Sequence, residues 1–420
     1  MASEQIRIVH AADIHLDSPL RGLGRLGDED LAQRLRKATR VAFDNLVTHC
    51  IDTQPTALLL AGDLYDGEWN DYSTGVYFTN RMRDLHDAGV QVVLVQGNHD
   101  AESKITRSLT LPPNVRRLST SEPETVTFDD QGLAVHGQGF ATRAVSANLA
   151  IAYPAPIPGL VNVGLLHTSV AGYAHHDPYA PCSLADLTGR GYEYFALGHV
   201  HGREILATGR NTVAFSGNLQ GRNPRECGAK GALDVVLTPG GEATTQFVEL
   251  DVARWEQIEV DVSATAEEGG IFDLIDTAMG KAREDAGSRP VVARIRITGT
   301  STLAGRLANT EVLDAEIRPR AARHEVAVEK ITSNVLAPAD RRHLPAVQRQ
   351  ALDAVIASML EDPVGVRADP SLKNDLDALI ADVGQFTRTV DADLASTEQF
   401  ATLVSDACQR LLAQAEAGLL

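Results

Sequence analysis

Over the first 250 residues, short runs of branched and apolar residues alternate with stretches whose apolar positions recur every three to four residues. The runs "IRIVHAAD" (6–13), "TALLLAGD" (56–63), "VQVVLVQGNHD" (90–100) and "VNVGLLHTS" (161–169) read as strands. So do "EYFALGHVH" (193–201), "TVAFSGN" (212–218) and "GALDVVL" (231–237). Residues 30–52 put Leu31, Leu35, Ala38, Ala42 and Leu46 on one face of a single helix, with Asp28 or Asp30 near its start. Residues 71–89 form another helix. Strands punctuated by turn residues and alternating with helices predict a layered α/β domain. Near Trp255 the rhythm changes to strand, helix (271–285), strand, short helix (303–309) and strand, a small α+β unit. The remainder reads as helical and polar, with breaks at Pro363 and Pro370. The expected boundaries are 1–252, 253–337 and 338–420.

Five strands end on side chains able to bind metals or move protons. They are Asp13 and His15; Asp63 and Asp66; Asn98, His99 and Asp100; His167; and His199 and His201. If these strands share one sheet, their C-terminal ends form the rim on which open α/β sheets keep their ligands. Residues two apart on a strand point the same way, so D-x-H and H-x-H each offer two ligands together. Carboxylate, carboxamide and imidazole together suit manganese, iron or zinc, whereas magnesium prefers oxygen and water. Seven ligands are too many for one ion but fit two, with one carboxylate bridging. Such a pair stabilises both the attacking and the leaving oxygen of a phosphoryl displacement. Each fragment alone is weak, and the series of five carries the signal.

Composition bounds the setting. Hydrophobic residues make up 44% and charged residues 22%, an ordinary globular balance. No apolar stretch approaches the roughly 18 residues of a membrane helix, and the start "MASEQIRIVH" lacks a leader pattern. A cytoplasmic setting is expected. The cysteines Cys50, Cys182, Cys227 and Cys408 form no CxxC pair and read as reduced thiols, not a zinc knuckle. The net charge of −18 opposes a broad nucleic-acid surface. From Leu344 onward 12 Asp/Glu face 5 Lys/Arg, while basic clusters at 34–40, 221–231 and 318–324 read as solvated faces. Net charge alone leaves a nucleic-acid substrate open.

With "HAADIHLDSPL", "LLAGDLYDG", "GNHD", "GHVH" and "FSGNLQGRNPRECGAKG", the chain resembles the calcineurin-like metallophosphoesterase superfamily. Within it, the resemblance is to the SbcD/YhaO branch of bacterial DNA-repair nucleases, related to the meiotic recombination eleven nuclease. It covers about residues 1–250. The following segment matches that branch's capping domain only in kind, and the last 80 residues carry no recognised motif. The fold implied is an α/β/β/α sandwich with a small α+β capping domain and a helical C-terminal region. Two divalent ions are implied, Mn2+ first, with Fe or Zn as alternatives. Asp13, His15, Asp63 and His201 would hold one; Asp63, Asn98, His167 and His199 the other, with Asp63 bridging. His99 would protonate or stabilise the leaving oxygen, and Asp100 would orient its imidazole.

The activity implied is that of an exonuclease or endonuclease subunit in DNA repair, by in-line attack of a metal-bound hydroxide. The implied partners are DNA and an SMC-like ATPase of the SbcC/YhaN type, with the helical tail as docking segment; a homodimer is compatible. Asp66 stands where archaeal and eukaryotic relatives carry a second substrate-facing histidine, which leaves the exonuclease–endonuclease balance open. Gly67 stands where the superfamily's protein phosphatases carry Arg, which disfavours protein substrates. Asp66, Arg222 and the loop residues Tyr173, His175 and His176 are candidate substrate contacts. His10 and His136 read as strand residues, not ligands. Two other functions remain: a phosphodiesterase for cyclic nucleotides or other small phosphate esters, which suits the charge, and an inactive accessory subunit of the ATPase, which the intact ligand set opposes.

Overall fold

The computed structural model describes residues 5–18, 29–66, 73–102, 110–170, 179–265, 267–338, 358 and 361–362. Tyr173, His175, His176, Gly67 and nearly all of the expected helical region 338–420 lie outside the described residues.

The chain starts β1 (Ile6–Ala11), α1 (Glu29–Arg36), α2 (Ala38–Thr53), β2 (Ala57–Ala61), α3 (Ser73–Asp87), β3 (Gln91–Val95) and β4 (Val115–Arg117). There follow β5 (Glu124–Phe128), β6 (Leu133–Gln138), β7 (Val161–His167), α4 (Leu184–Thr188), β8 (Tyr194–Gly198), β9 (Glu204–Ala207) and β10 (Thr212–Phe215). Next come β11 (Gly231–Leu237), β12 (Thr244–Glu249), β13 (Arg254–Asp261) and α5 (Glu268–Ala286). Last are β14 (Val291–Thr298), α6 (Ala304–Leu307), α7 (Thr310–Arg323) and β15 (Val326–Ser333).

Two six-stranded mixed sheets and a three-stranded one result. The first runs β12-β11-β1-β2-β3-β4, the second β5-β6-β7-β8-β10-β9, the third β13-β14-β15. The ligand-bearing strands therefore do not share one sheet: β1, β2 and β3 belong to the first, β7 and β8 to the second. Strand alternation explains the stacking. Leu58 and Leu60 face Phe43, Leu46 and Met82 of α2 and α3, while Ala57, Leu59 and Ala61 face Val163, Leu165 and Ala196 of the second sheet. On that sheet's far side, Phe195, Leu197 and Phe215 cluster with Leu187 of α4. These strands are buried on both faces, so they read as unbroken apolar runs. Each leucine, valine, methionine or phenylalanine among them contributes about 1.5–3 kcal/mol relative to exposure. The layers are α/β/β/α.

The single helix expected over 30–52 breaks at Lys37 into α1 and α2. The halves serve different cores: α1 buries Leu31, Ala32 and Leu35 with Trp255 and Val292, and α2 packs on the first sheet. Helix α7 was not expected, because Pro319 sits inside it. The short strands β5, β9 and β12 bury little and showed no apolar run. The chain forms two compact units, one of Met1–Ile258, Ala278–Ile295 and Arg318–Lys330. The other takes Glu259–Thr277, Arg296–Ile317 and, of the described residues, those from Ile331. Cys50, Cys182 and Cys227 are free thiols. Among the described residues no helix is long and apolar enough to cross a membrane.

His10 lies fully buried between the sheets. Its Nε2–H donates to the Leu197 carbonyl (3.1 Å) and its Nδ1 accepts from the Tyr194 hydroxyl (2.9 Å). Burial pushes its pKa down to about 3. An unfolded chain takes up a proton near 6.5 that the folded chain refuses, so stability falls as pH drops from about 6.5 towards 3. This loss runs at about 1.4 kcal/mol per pH unit. Urea unfolding of wild type and His10→Gln at pH 7.5 and 5 measures it: the variant's acid loss should be the smaller. Equal losses would place the acid sensitivity elsewhere.

Candidate active site

Where the strands end, the backbone takes conformations that side chains seldom adopt. Asp13 (φ 51°), His15 (φ 46°), Asp63 (φ 51°) and His199 (φ 102°) all have positive φ. Each such residue costs on the order of 1–3 kcal/mol and persists only where its surroundings over-determine it. Here they do. Asp13 N–H donates to Gly62 O (3.1 Å) and His15 N–H to Asp63 O (3.0 Å). His199 N–H donates to the Asp13 carboxylate (3.1 and 3.0 Å), and His99 N–H to Asp63 Oδ1 (3.0 Å).

The result is three overlapping groups of donors. Ligand atoms of Asp13, His15 and His201 lie within 4.8 Å of one another, as do those of Asp13, Asp63 and His167 and those of His15, Asp66 and His99. His15 Nε2 faces His201 Nε2 at 3.3 Å. Asp63 Oδ2 lies 3.9 Å from His15 Nε2 and 3.5 Å from His167 Nε2. His167 Nδ1–H can only donate to the Ala61 carbonyl (2.9 Å), so its Nε2 turns a lone pair towards Asn98 Oδ1, 2.9 Å away. The His199 ring stands edge-on to His167, with centroids 5.4 Å apart. All seven expected ligands meet on one rim.

The electrostatics fit a divalent cation. Burial pushes Asp13 above the usual carboxylate range and Asp63 up to about 6. Burial also drives His15 well below, and His167 below, the usual imidazole value, so both rings are neutral near pH 7. Neutral imidazoles facing buried acceptors repel one another unless a cation lies among them. His15 Nδ1 is buried without a hydrogen-bond partner, its nearest carboxylate oxygen being Asp66 Oδ1 at 3.6 Å.

Beside this group stands His99, its side chain 32% exposed, with Nδ1 3.1 Å from Asp66 Oδ1. That hydrogen bond raises the His99 pKa against the effect of burial. Contacts with His15 and His99 hold Asp66 far below the usual range. The carboxylate at the His99 imidazole is therefore Asp66, not Asp100 as expected. Asp100 instead accepts from the backbone N–H of Gly97 (3.1 Å), Leu64 (3.2 Å) and Tyr65 (3.1 Å), tying the turn after β3 to the turn after β2. Arg222, expected to meet substrate, is largely buried; it donates to Glu226 (3.1 Å) and Ser18 (3.3 Å) and lies 3.9 Å from Asp66. Glu226 went unnoticed in the sequence, where it looks like one acid in a basic, glycine-rich surface loop.

Residues 6–203 match the family model described as calcineurin-like phosphoesterase. The chain carries a calcineurin-like phosphoesterase domain. Residues 255–335 match the middle domain of metallophosphoesterase YhaO. "Uncharacterized metallophosphoesterase YhaO" of Bacillus subtilis (strain 168) is 29% identical over 299 residues, 70% of this chain and 72% of that protein. The SbcD component of the SbcCD nuclease of the same organism is 25% identical over 286 residues, 59% of this chain and 71% of its own. "DNA double-strand break repair protein Mre11" of Methanopyrus kandleri is 25% identical over 215 residues, 47% and 44% of the two chains. A metallophosphoesterase domain hydrolyses phosphate esters with divalent metals, and the donors on this rim suit that chemistry.

The two acids beside His99 separate in solution. In metal-free protein followed by NMR, the His99 imidazole should titrate above the free value of 6.5. Asp66→Asn should lower that pKa, because the partner of the charged ring is lost. Asp100→Asn should leave it in place but destabilise the fold by on the order of 1.5–3 kcal/mol per weakened charge-assisted bond. The opposite pattern would return the orienting role to Asp100.

Proposed function

We propose that the chain is a dinuclear-metal phosphodiesterase acting on DNA. The observation that carries this reading is the set of overlapping donor groups on one rim, with the His99–Asp66 couple at its exposed side. Asp13, His15, Asp63 and His201 would hold one divalent ion, and Asp63, Asn98, His167 and His199 the other. Mn2+ suits the imidazole-rich set best, with Fe or Zn as alternatives. Bound there, divalent ions would supply an acidified water and neutralise phosphate charge. His99, its proton affinity raised by Asp66, offers Nε2–H to the leaving oxygen, and Asp66 keeps the ring turned that way.

Likeness to a component of a nuclease and to a double-strand break repair protein supports DNA as the substrate. The −18 net charge supports a partner that supplies phosphate-binding surface, in keeping with the SMC-like ATPase implied by the resemblance. The reading retains domains 1–252, 253–337 and 338–420 and a cytoplasmic setting. The same charge favours a second reading, hydrolysis of small phosphate esters. Manganese-dependent cleavage of linear DNA, against that of bis-p-nitrophenyl phosphate, decides between them. DNA should be cut, and faster with the ATPase present; turnover of the small ester alone under both conditions would select the second reading.

Metal occupancy measured beside rate tests the residue roles. Wild type should bind about two ions per chain. Asn98→Ala should lose occupancy and rate together. His99→Ala should keep both ions and lose rate by about 10²–10⁴-fold, the usual range for acid–base catalysis. An ion lost on His99→Ala would make His99 a ligand.

A further inference from the structure

Between β10 and β11 the chain runs through "SGNLQGRNPRECGAKG" (216–231), and one acid of this loop, Glu226, is only 8% exposed. Apart from the His201 ring, each of its side-chain partners is a donor by chemistry. Oε2 accepts from Asn218 Nδ2 (2.8 Å) and from the Arg222 backbone N–H (2.7 Å). Oε1 accepts from Arg222 Nη2 (3.1 Å) and faces His201 Nδ1 at 2.9 Å. With amide and backbone N–H groups on Oε2 and the Arg222 guanidinium on Oε1, the side chain is surrounded as a carboxylate anion is. An ionised carboxylate only accepts.

His201 Nδ1 must then carry a hydrogen, and Nε2 faces the rim, 3.3 Å from His15 Nε2. The other tautomer would set a ring lone pair 2.9 Å from a carboxylate oxygen. Its one gain would be a 3.3 Å contact with Arg222 Nη2, which does not offset that repulsion. The backbone at His201 is pinned as well. Its carbonyl accepts from Asn218 N–H (3.2 Å) and from Lys230 Nζ (3.1 Å). From Glu226 a second arm runs through Arg222 to Ser18 Oγ (3.3 Å), whose hydroxyl donates to Asp66 Oδ2 (2.7 Å).

We propose that Glu226 is a positioning residue of the phosphoesterase centre: it locks His201 as the Nδ1–H tautomer in one ring orientation, so that Nε2 is presented to a divalent cation. This rests on the reading of His201 as a metal ligand. The Arg222–Ser18 arm lets the same carboxylate brace Asp66, and through it His99. Buried partners of metal-binding histidines typically change metal affinity by about 10–100-fold.

The test uses the full chain with Glu226→Met, which keeps length and bulk but cannot accept, and Glu226→Asp, which keeps the charge. Near-ultraviolet circular dichroism establishes that each variant is folded. In metal-free, 15N-histidine-labelled protein, wild-type His201 should show a protonated Nδ1 and a bare Nε2. Glu226→Met should shift it towards Nε2–H, since Arg222 is then the remaining neighbour of Nδ1, and Glu226→Asp should restore part of the wild-type pattern. By calorimetry, Mn2+ should bind one site of Glu226→Met roughly 10–100-fold more weakly, while turnover at saturating Mn2+ should recover to within a few-fold. An unchanged tautomer in folded Glu226→Met would overturn the proposal. So would altered tautomer with unchanged Mn2+ affinity. If wild type itself bound no Mn2+, the metal reading would fall, and the tautomer alone would still decide whether Glu226 sets the ring.

Discussion

One of the hydrogen bonds that join the two large sheets sets the aim of the chemistry gathered there. The carbonyl of Ala61, the last residue of β2, accepts Nδ1–H of His167 from the end of β7 at 2.9 Å. The bond fixes the His167 tautomer, and the tautomer aims Nε2 at Asn98 and Asp63. It also demands a close approach of backbones. A side chain on Gly198 would strike the Ala61 carbonyl, and one on Gly97 would strike the Asp63 carboxylate. Deeper between the sheets, His10 makes a similar bridge from β1 to the Leu197 carbonyl of β8. Directional bonds thus set the alignment of the sheets, and the apolar layer between them supplies the bulk of the adhesion.

Cost concentrates at this rim. Of the eight non-glycine residues with positive φ among the described residues, four are Asp13, His15, Asp63 and His199. At about 1–3 kcal/mol each, that strain is a large share of the roughly 5–15 kcal/mol by which a protein is usually stable. Buried carboxylates add to it. Asp100 offsets part by satisfying three backbone N–H groups of the two adjoining turns. The rim is an arrangement the chain holds under load, and a divalent cation bound there would relieve repulsion among its acceptors.

Much of this was legible in the sequence because strands buried on both faces declare themselves as apolar runs, and the residues closing them stand out. The seven converging side chains and the layered fold followed from that pattern. Which strands pair did not, since apolar alternation is the same whichever sheet a strand joins. The break at Lys37 was hidden because 30–52 keeps a continuous helical period although its halves meet different cores. Asp66 and Asp100 are both acids near His99 in the fold. Only the side-chain geometry tells that one meets the ring and the other caps backbone. Glu226 could not be found from spacing at all, because its role depends on four donors brought round it by the fold.

The pairing of β1 has a bearing on how the chain comes into being. One edge of β1 meets β2, but the other waits for β11, whose Asp234 pairs with Arg7 from 227 positions further on. His201 follows His15 by 186 positions. At ribosomal rates of about 5–20 residues per second, that gap is on the order of ten to forty seconds. Through that interval the edge of β1 that β11 later covers presents unpaired N–H and C=O groups, the kind of surface on which strands of other chains add. Strand β1 is enclosed on its second edge only once β11 is made, and the order of synthesis leaves this centre without His201 until the second sheet is nearly complete.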